Sequence, residues 1–231
     1  MDAIILAAGK GTRMRPLTND TPKPLLKVQG RPIIEWSLLN LAPIVERVIV
    51  VAKYLKPQIE AYMAEQTIVS DYVIAEQLPE PLGTGHALQV CREHLTSDSF
   101  LVMNGDDLFD GHALAKMKDE PAAILALEID DPTAYAAIIQ NEDGYVERLH
   151  EKPPAGMYPP PVKVSIGAYK LTTQIFDHDI QLSKRGEYEL PDYVTYLASQ
   201  VNMTVITSDF WQPVGNPHDL ELAQTVDIPR V

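Results

Sequence analysis

Residues 3–7, Ala-Ile-Ile-Leu-Ala, form an unbroken apolar run that gives way at once to Gly9-Lys10-Gly11. So short and apolar a run reads as a strand buried on both faces. Glycines directly behind it let the backbone turn sharply and bring its N–H groups up to an anion. No other junction restricts the chain as much, because it asks for a sheet with both faces covered and for a ligand site at one strand end. Thr12, Arg13, Arg15 and Lys23 follow closely and supply fixed charge and fork-shaped donors suited to a triphosphate. The spacing is not the dinucleotide fingerprint, which needs a third glycine where Met14 stands. It is not a Walker loop either, since no Gly-Lys-Ser/Thr follows four spacer residues.

The alternation implied by that junction continues. Behind Pro32, apolar residues from Ile33 to Leu41 recur at helical spacing until Pro43. Residues 48–52 read as a second buried strand, residues from about 57 to 65 as a helix, and 68–75 as a third strand. Gly83-Thr84-Gly85 opens a helix through 95, and the strand 100–103 runs into Asn104-Gly105-Asp106-Asp107. Such a pattern predicts a parallel sheet covered on both faces. The second half is less regular, with strands at 122–129, 135–140, 145–149, 164–171 and 203–207 and helices at 190–199 and 219–225. Pro153-Pro154 and Pro159-Pro160-Pro161 frame a loop that cannot be helical.

With 231 residues the chain fits one α/β domain better than two. A net charge of −13 argues against nucleic acid as a partner. Yet Lys10, Arg13, Arg15, Lys23, Lys27 and Arg31 face only Asp2 and Asp20 over residues 1–31, which points to a small polyanion beside the first turn. No apolar run approaches the roughly 20 residues of a membrane helix, and no secretory leader pattern opens the chain. A lone cysteine, Cys91, leaves no intramolecular disulfide, so a cytoplasmic protein is expected.

In an open parallel sheet, ligands bind outside the carboxyl ends of the strands. Gly9-Lys10-Gly11, Glu76-Gln77 and Asn104-Gly105-Asp106 each follow a strand, so they can converge on one crevice. Gln77 offers an amide donor and acceptor to a base edge, or is simply a polar loop residue. Gly83 suits a close approach of backbone to a ring, and Thr84 can cap the following helix or touch a ligand. Asp106 carries the carboxylate oxygens that Mg²⁺ wants beside phosphate oxygens. Asp107, its neighbour, is expected to point elsewhere. Glu151 can accept hydrogen bonds from sugar hydroxyls, and Lys152 can hold a phosphate. The histidines show no transition-metal spacing, and His86 reads as a packing or surface group.

The run from Leu6 to Leu25 resembles the N-terminal signature of the sugar-1-phosphate nucleotidylyltransferases, L-A-[AG]-G-x-G-[ST]-R-[LM]-x-P-[LA]-T followed by P-K-x-[LM], and meets every position. Leu82-Gly83-Thr84-Gly85, Asn104-Gly105-Asp106, Glu151-Lys152-Pro153 and Arg185-Gly186-Glu187 extend the resemblance over nearly the whole chain. It implies a Rossmann-like, GT-A-like α/β/α sandwich on a mixed, mainly parallel sheet. It implies one domain over 1–231, with a nucleotide half to about 110 and a sugar half beyond; the hexapeptide pattern of a C-terminal β-helix, which some members of that family carry, is not expected here. The implied substrates are an NTP, with UTP or dTTP favoured, and a sugar-1-phosphate, joined with release of pyrophosphate. Leu6, Ala8, Gly9, Gly11, Thr12, Gln77, Gly83 and Thr84 would hold the nucleotide. Arg13, Lys23, Asp106 and Lys152 would do the chemistry, with Mg²⁺ on Asp106. Gly105, Glu151, Ser165 and Gly167 would face the sugar. Homo-oligomerisation is left open.

This sequence departs from the family pattern at three places. Ser165 stands where Asn is usual, and Ala136 where a Gly often follows Tyr. In Trp211-Gln212-Pro213, Pro213 replaces the Asp that usually supplies a second metal ligand. Two other readings stay open: an alcohol phosphate such as phosphocholine as substrate, and a nucleotide-sugar-binding regulatory protein without turnover. An aromatic content of 7% speaks against a cationic cage for the first. Arg13, Lys23, Asp106 and Lys152, all retained, speak against the second.

Overall fold

The computed structural model describes residues 1–230. In chain order the strands and helices are β1 (Asp2–Leu6), β2 (Lys27–Val28), β3 (Arg31–Pro32), α1 (Ile33–Leu41), β4 (Arg47–Ala52), α2 (Lys56–Glu65) and β5 (Tyr72–Glu76). Then come α3 (Thr84–Cys91), β6 (Ser99–Asn104), β7 (Asp107–Phe109), α4 (Gly111–Met117), β8 (Ala123–Ile129), β9 (Ala136–Gln140) and β10 (Val146–Glu151). The chain continues through β11 (Val162–Thr172), α5 (Leu190–Gln200), β12 (Thr204–Thr207), β13 (Trp211–Pro213) and α6 (Pro217–Ala223).

β1 lies between β4 and β6, and all three run parallel with β5 at the edge. The apolar run is continuous because both faces of β1 are covered. Ile4 packs toward α3 and α5, whereas Ala3 and Ile5 pack toward α1, α2 and α4. Cys91 is part of the first of these faces, and burial pushes its thiol up, as suits a core residue and not a reactive one. At its amino end β1 is fixed by Asp2, whose buried carboxylate accepts from Thr96 N at 2.6 Å, Ser97 N at 3.1 Å and the Thr96 hydroxyl at 3.0 Å.

The second half joins the sheet antiparallel, through β11 against β6. β11 serves several partners. Ala168–Thr172 pair with β6, Val164 and Ser165 pair with β9, and β8 follows along the other edge with a shift of register between Ser165 and Tyr169. Gly167, at φ +84°, sits in that shift. A bulge of this kind adds residues to one strand and bends it. β12 completes this part of the sheet parallel to β8, and β10 borders β9.

A third apolar cluster lies outside the sheet, where Met14, Trp36, Leu108 and Val214 meet Ala223 of α6. Met14, standing where a dinucleotide loop has glycine, thus anchors the turn after β1.

Several boundaries differ from the sequence reading. β5 begins at Tyr72, because the Gln66 side chain takes the N–H groups of Ile68 and Val69 and turns the chain there. α6 begins at Pro217, a residue suited to a first turn, behind Asn216 in a reciprocal capping box with Asp219. α4, capped by the Asp110 carboxylate, and the ribbon of β7 with β13 had no apolar period long enough to read.

Replacement of Gly167 by Ala should destabilise the protein by about 1–3 kcal/mol in denaturant titration, through a left-handed φ and a Cβ driven onto the Asn104 amide. Gly30→Ala, at φ +81° with nothing within 4 Å, isolates the φ contribution and should cost less.

Candidate active site

At the carboxyl end of β1 the chain passes close to its neighbours before turning. Ala7 N donates to Val51 O at 2.9 Å, and Gly105 N donates to Leu6 O at 2.9 Å. Gly11 then takes the left-handed conformation, φ 58° and ψ 37°. Its carbonyl accepts from Met14 N at 2.9 Å and from the buried Thr18 hydroxyl at 2.8 Å. A Cβ at Gly11 would press on Thr18 at 3.1 Å and on Lys23 at 3.2 Å. The turn holds Thr12 and Arg13 at the surface while Met14 points into the core. The Arg13 guanidinium lies alongside Gly215, just beyond β13.

Lys23 opens a short 3-10 turn between Pro22 and Pro24 and is only 6% exposed. Its ammonium pairs with the Asp106 carboxylate at the end of β6. Asp107 turns the other way. It is buried, takes a hydrogen bond from Asn104 Nδ2 at 3.1 Å, and stands opposite Pro213 in the ribbon. Desolvation first, and the Asp106 charge second, hold its carboxyl above the usual carboxylate range.

On the far side, Glu76 at the end of β5 is bound by Lys56 at 2.7 Å and Lys53 at 3.0 Å, while Gln77 is buried beside the Gly83 turn. Gln77 Nε2 donates to Gly83 O at 2.8 Å. Gly83 adopts φ +96°, and a Cβ there would collide with the Tyr188 backbone. The segment before α5 docks here, since Gly85 N donates to Tyr188 O at 2.8 Å and Tyr188 N to Leu82 O at 2.7 Å.

Gly9, Lys10, Gln77, Gly83, Asn104 and Asp106 line a cavity of about 620 Å³. A second cavity of about 530 Å³, bordered by Gly11, Thr12, Arg13, Lys23 and Gly215, shares Leu6, Gly9, Thr84 and Asp106 with the first. The two form one cleft across the carboxyl ends of β1, β5 and β6, the place where an open parallel sheet binds its ligands. The description nucleotidyl transferase belongs to the family model that matches residues 2–228. The chain belongs to that family. Among curated relatives, the bifunctional protein GlmU of Methanococcus aeolicus is 34% identical over 97% of this chain and 54% of its own length. The chain therefore spans about half the length of that relative. The UTP–glucose-1-phosphate uridylyltransferase AglF of Haloferax volcanii is 34% identical over 97% of this chain and 95% of its own. A crystal structure of UDP-glucose pyrophosphorylase complexed with UDP-glucose superposes with a TM-score of 0.85 at 21% identity, covering 96% of each chain, which shows the shared fold.

The cleft gathers Leu6, Ala8, Gly9, Gly11, Thr12 and Arg13 with Lys23, Gln77, Gly83, Thr84 and Asp106, all singled out in the sequence. Glu151 and Lys152 line an adjoining cavity of about 420 Å³, which shares Arg185 and Glu189 with the first. Three of the residues expected to face a sugar also have close protein partners. Gly105 is buried, and a Cβ there would meet Ile5 and Leu6 O at 2.8 Å. Gly167 makes room for Asn104, which does line the cleft. The Ser165 hydroxyl is 2.8 Å from the Tyr169 hydroxyl.

Thr84 does not cap its own helix. Its hydroxyl accepts from Leu190 N at 3.0 Å and so closes the first turn of α5. Lys10 and Asn104, read from the sequence only as members of loops converging on a crevice, border the cleft, as do Arg185, Glu187 and Glu189, to which it gave no role. The Arg-Gly-Glu triplet at 185–187 was the one signal for the last three, but no local period says where a loop will fold back.

Thr84→Val should leave Leu190 N unpaired, cost about 1 kcal/mol, and speed amide hydrogen exchange in the first turn of α5. Unchanged exchange there would show that this bond does not hold the helix end.

Proposed function

We propose that this chain joins an NTP to a sugar-1-phosphate, giving an NDP-sugar and pyrophosphate, with UTP or dTTP as the nucleotide. The observation that carries the reading is the meeting of the Gly11 turn, Arg13, Lys23, Asp106 and Gln77 in one cleft. The name borne by the Haloferax volcanii relative agrees with it. A Cβ at Gly9 would meet no protein atom within 4 Å, so a need for glycine there would come from the nucleotide and not from the fold.

A sugar phosphate oxygen attacks the α-phosphorus in line. The new P–O bond forms as the bond to the β-phosphate oxygen breaks, and the electrons leave with pyrophosphate. The attacking oxygen is already anionic at neutral pH, so no general base is needed. What the protein supplies is position and charge. Arg13 neutralises the departing pyrophosphate. Lys23 serves the α-phosphoryl group. Lys152 fixes the attacking phosphate and Glu151 the sugar, beside the Arg185–Glu189 ion pair.

The residues fit Mg²⁺ as a cation carried in with the triphosphate. Asp106 offers a carboxylate at the cleft wall, Pro213 offers no side-chain ligand, and Asp107 is turned inward. Among the described residues no three His, Cys, Asp or Glu side chains form a metal cluster. Mg²⁺ is often held by a single carboxylate together with phosphate oxygens and water. Bound at Asp106, it would offset phosphate charge.

Pyrophosphate release over a grid of NTPs and sugar-1-phosphates tests the reading, and no release with any pair would overturn it. Arg13→Ala and Lys23→Ala, checked as folded by circular dichroism, should each lower kcat/KM by about 10²-fold, the scale for losing one preorganised donor. In calorimetry, Mg²⁺ should bind the free protein weakly and gain useful affinity only with UTP present. Tight binding to free protein would contradict a single-carboxylate site.

A further inference from the structure

Gln77 can be oriented without ambiguity. Gly83 O can only accept, so the amide end facing it at 2.8 Å is nitrogen. The same Nε2 lies 3.2 Å from His86 Nδ1, which also receives Leu82 N at 3.4 Å. With two N–H groups aimed at it, Nδ1 acts as an acceptor and the imidazole proton sits on Nε2. Both hydrogens of the Gln77 amide are thereby engaged by protein. Among the described residues nothing donates to Gln77 Oε1, and Gln77 lines the cleft.

We infer that His86 is a positioning residue that, with Gly83 O, holds the Gln77 amide so that only its carbonyl is offered to the base, and thereby sets the cleft for a pyrimidine with an imide N–H over cytosine. Uracil and thymine carry a hydrogen at N3 and can donate it to Oε1. Cytosine presents a lone pair at N3, and against an acceptor fixed opposite that atom the two lone pairs face each other and N3 goes unpaired. A buried polar group left without its partner is what lets a site reject a close analogue. Burial keeps the His86 pKa below its ordinary value, with a backbone hydrogen bond at Leu78 opposing, so Nδ1 stays free to accept near neutral pH. The inference rests on the nucleotide site proposed above and adds the device that orients its reader.

Calorimetric binding of UTP and CTP with Mg²⁺ to the wild-type chain, His86→Phe and His86→Asn reads the device without requiring turnover. Wild type should favour UTP. In His86→Phe, which keeps a ring but accepts nothing, the UTP-to-CTP ratio should fall by about tenfold, the scale of one hydrogen bond to a specificity group. In His86→Asn, whose Oδ1 can replace Nδ1 as acceptor, most of the ratio should return. An unchanged ratio in His86→Phe, an equal loss for both nucleotides, or no recovery in His86→Asn would overturn the inference. Nitrogen NMR of the wild type gives a reading that needs no variant: a proton on Nε2 supports it and a proton on Nδ1 overturns it. UTP preference with these responses but no pyrophosphate release would sink only the proposed reaction. Equal binding of CTP and UTP by wild type would sink only the orientation argument.

Discussion

The hydrogen bond from Gly105 N to Leu6 O, at a place where not even a methyl group fits, fixes the distance between the two strand ends that matter most. β1 delivers the glycine turn and β6 delivers Asn104 and Asp106. Their approach is set by backbone and therefore cannot relax through a side-chain rotation. Everything charged in the cleft is placed from this contact. Lys23 reaches Asp106 because the turn that carries it is pressed against Gly11, and Arg13 reaches Gly215 because Met14 is locked into the third cluster.

The antiparallel half closes the cleft by similar means. The shift at Gly167 lets one long strand border β6 and then β9, which carries β10 and its end at Glu151 toward the site. The segment before α5 then folds back onto the Gly83 turn, held by backbone hydrogen bonds and by Thr84. A glycine is required at each of these contacts by space, by φ, or by both. That is a packing reason for residues whose sequence context suggests a ligand.

This duality explains what could be read from the sequence. The first half was legible because strands buried on two faces leave continuous apolar runs and helices leave a period, and because Gly9, Gly11 and Asp106 follow strand ends, with Arg13 and Lys23 in the turns between β1 and β2. Gln77 was legible as a polar residue in such a position, though not the orientation of its amide, which depends on Gly83 and His86 meeting it in space. His86, read as packing or surface, in fact faces Gln77. The protein partners of Gly105 and Ser165 were not legible either: Leu6 meets Gly105 across two strands, and Tyr169 meets Ser165 across the register shift of β11. Short elements such as β7, β13 and α4 are made by their neighbours more than by their own sequence.

One feature of the resting cleft reaches beyond its geometry. Lys23 and Asp106, proposed above to serve phosphate and metal, neutralise each other across the site. On the proposed reading, arrival of a metal–triphosphate would exchange counterions, with Lys23 released to phosphate as Asp106 takes the cation. A protein of net charge −13 can thus keep a nearly buried lysine at hand for an anion without an unpaired charge in its interior while it waits.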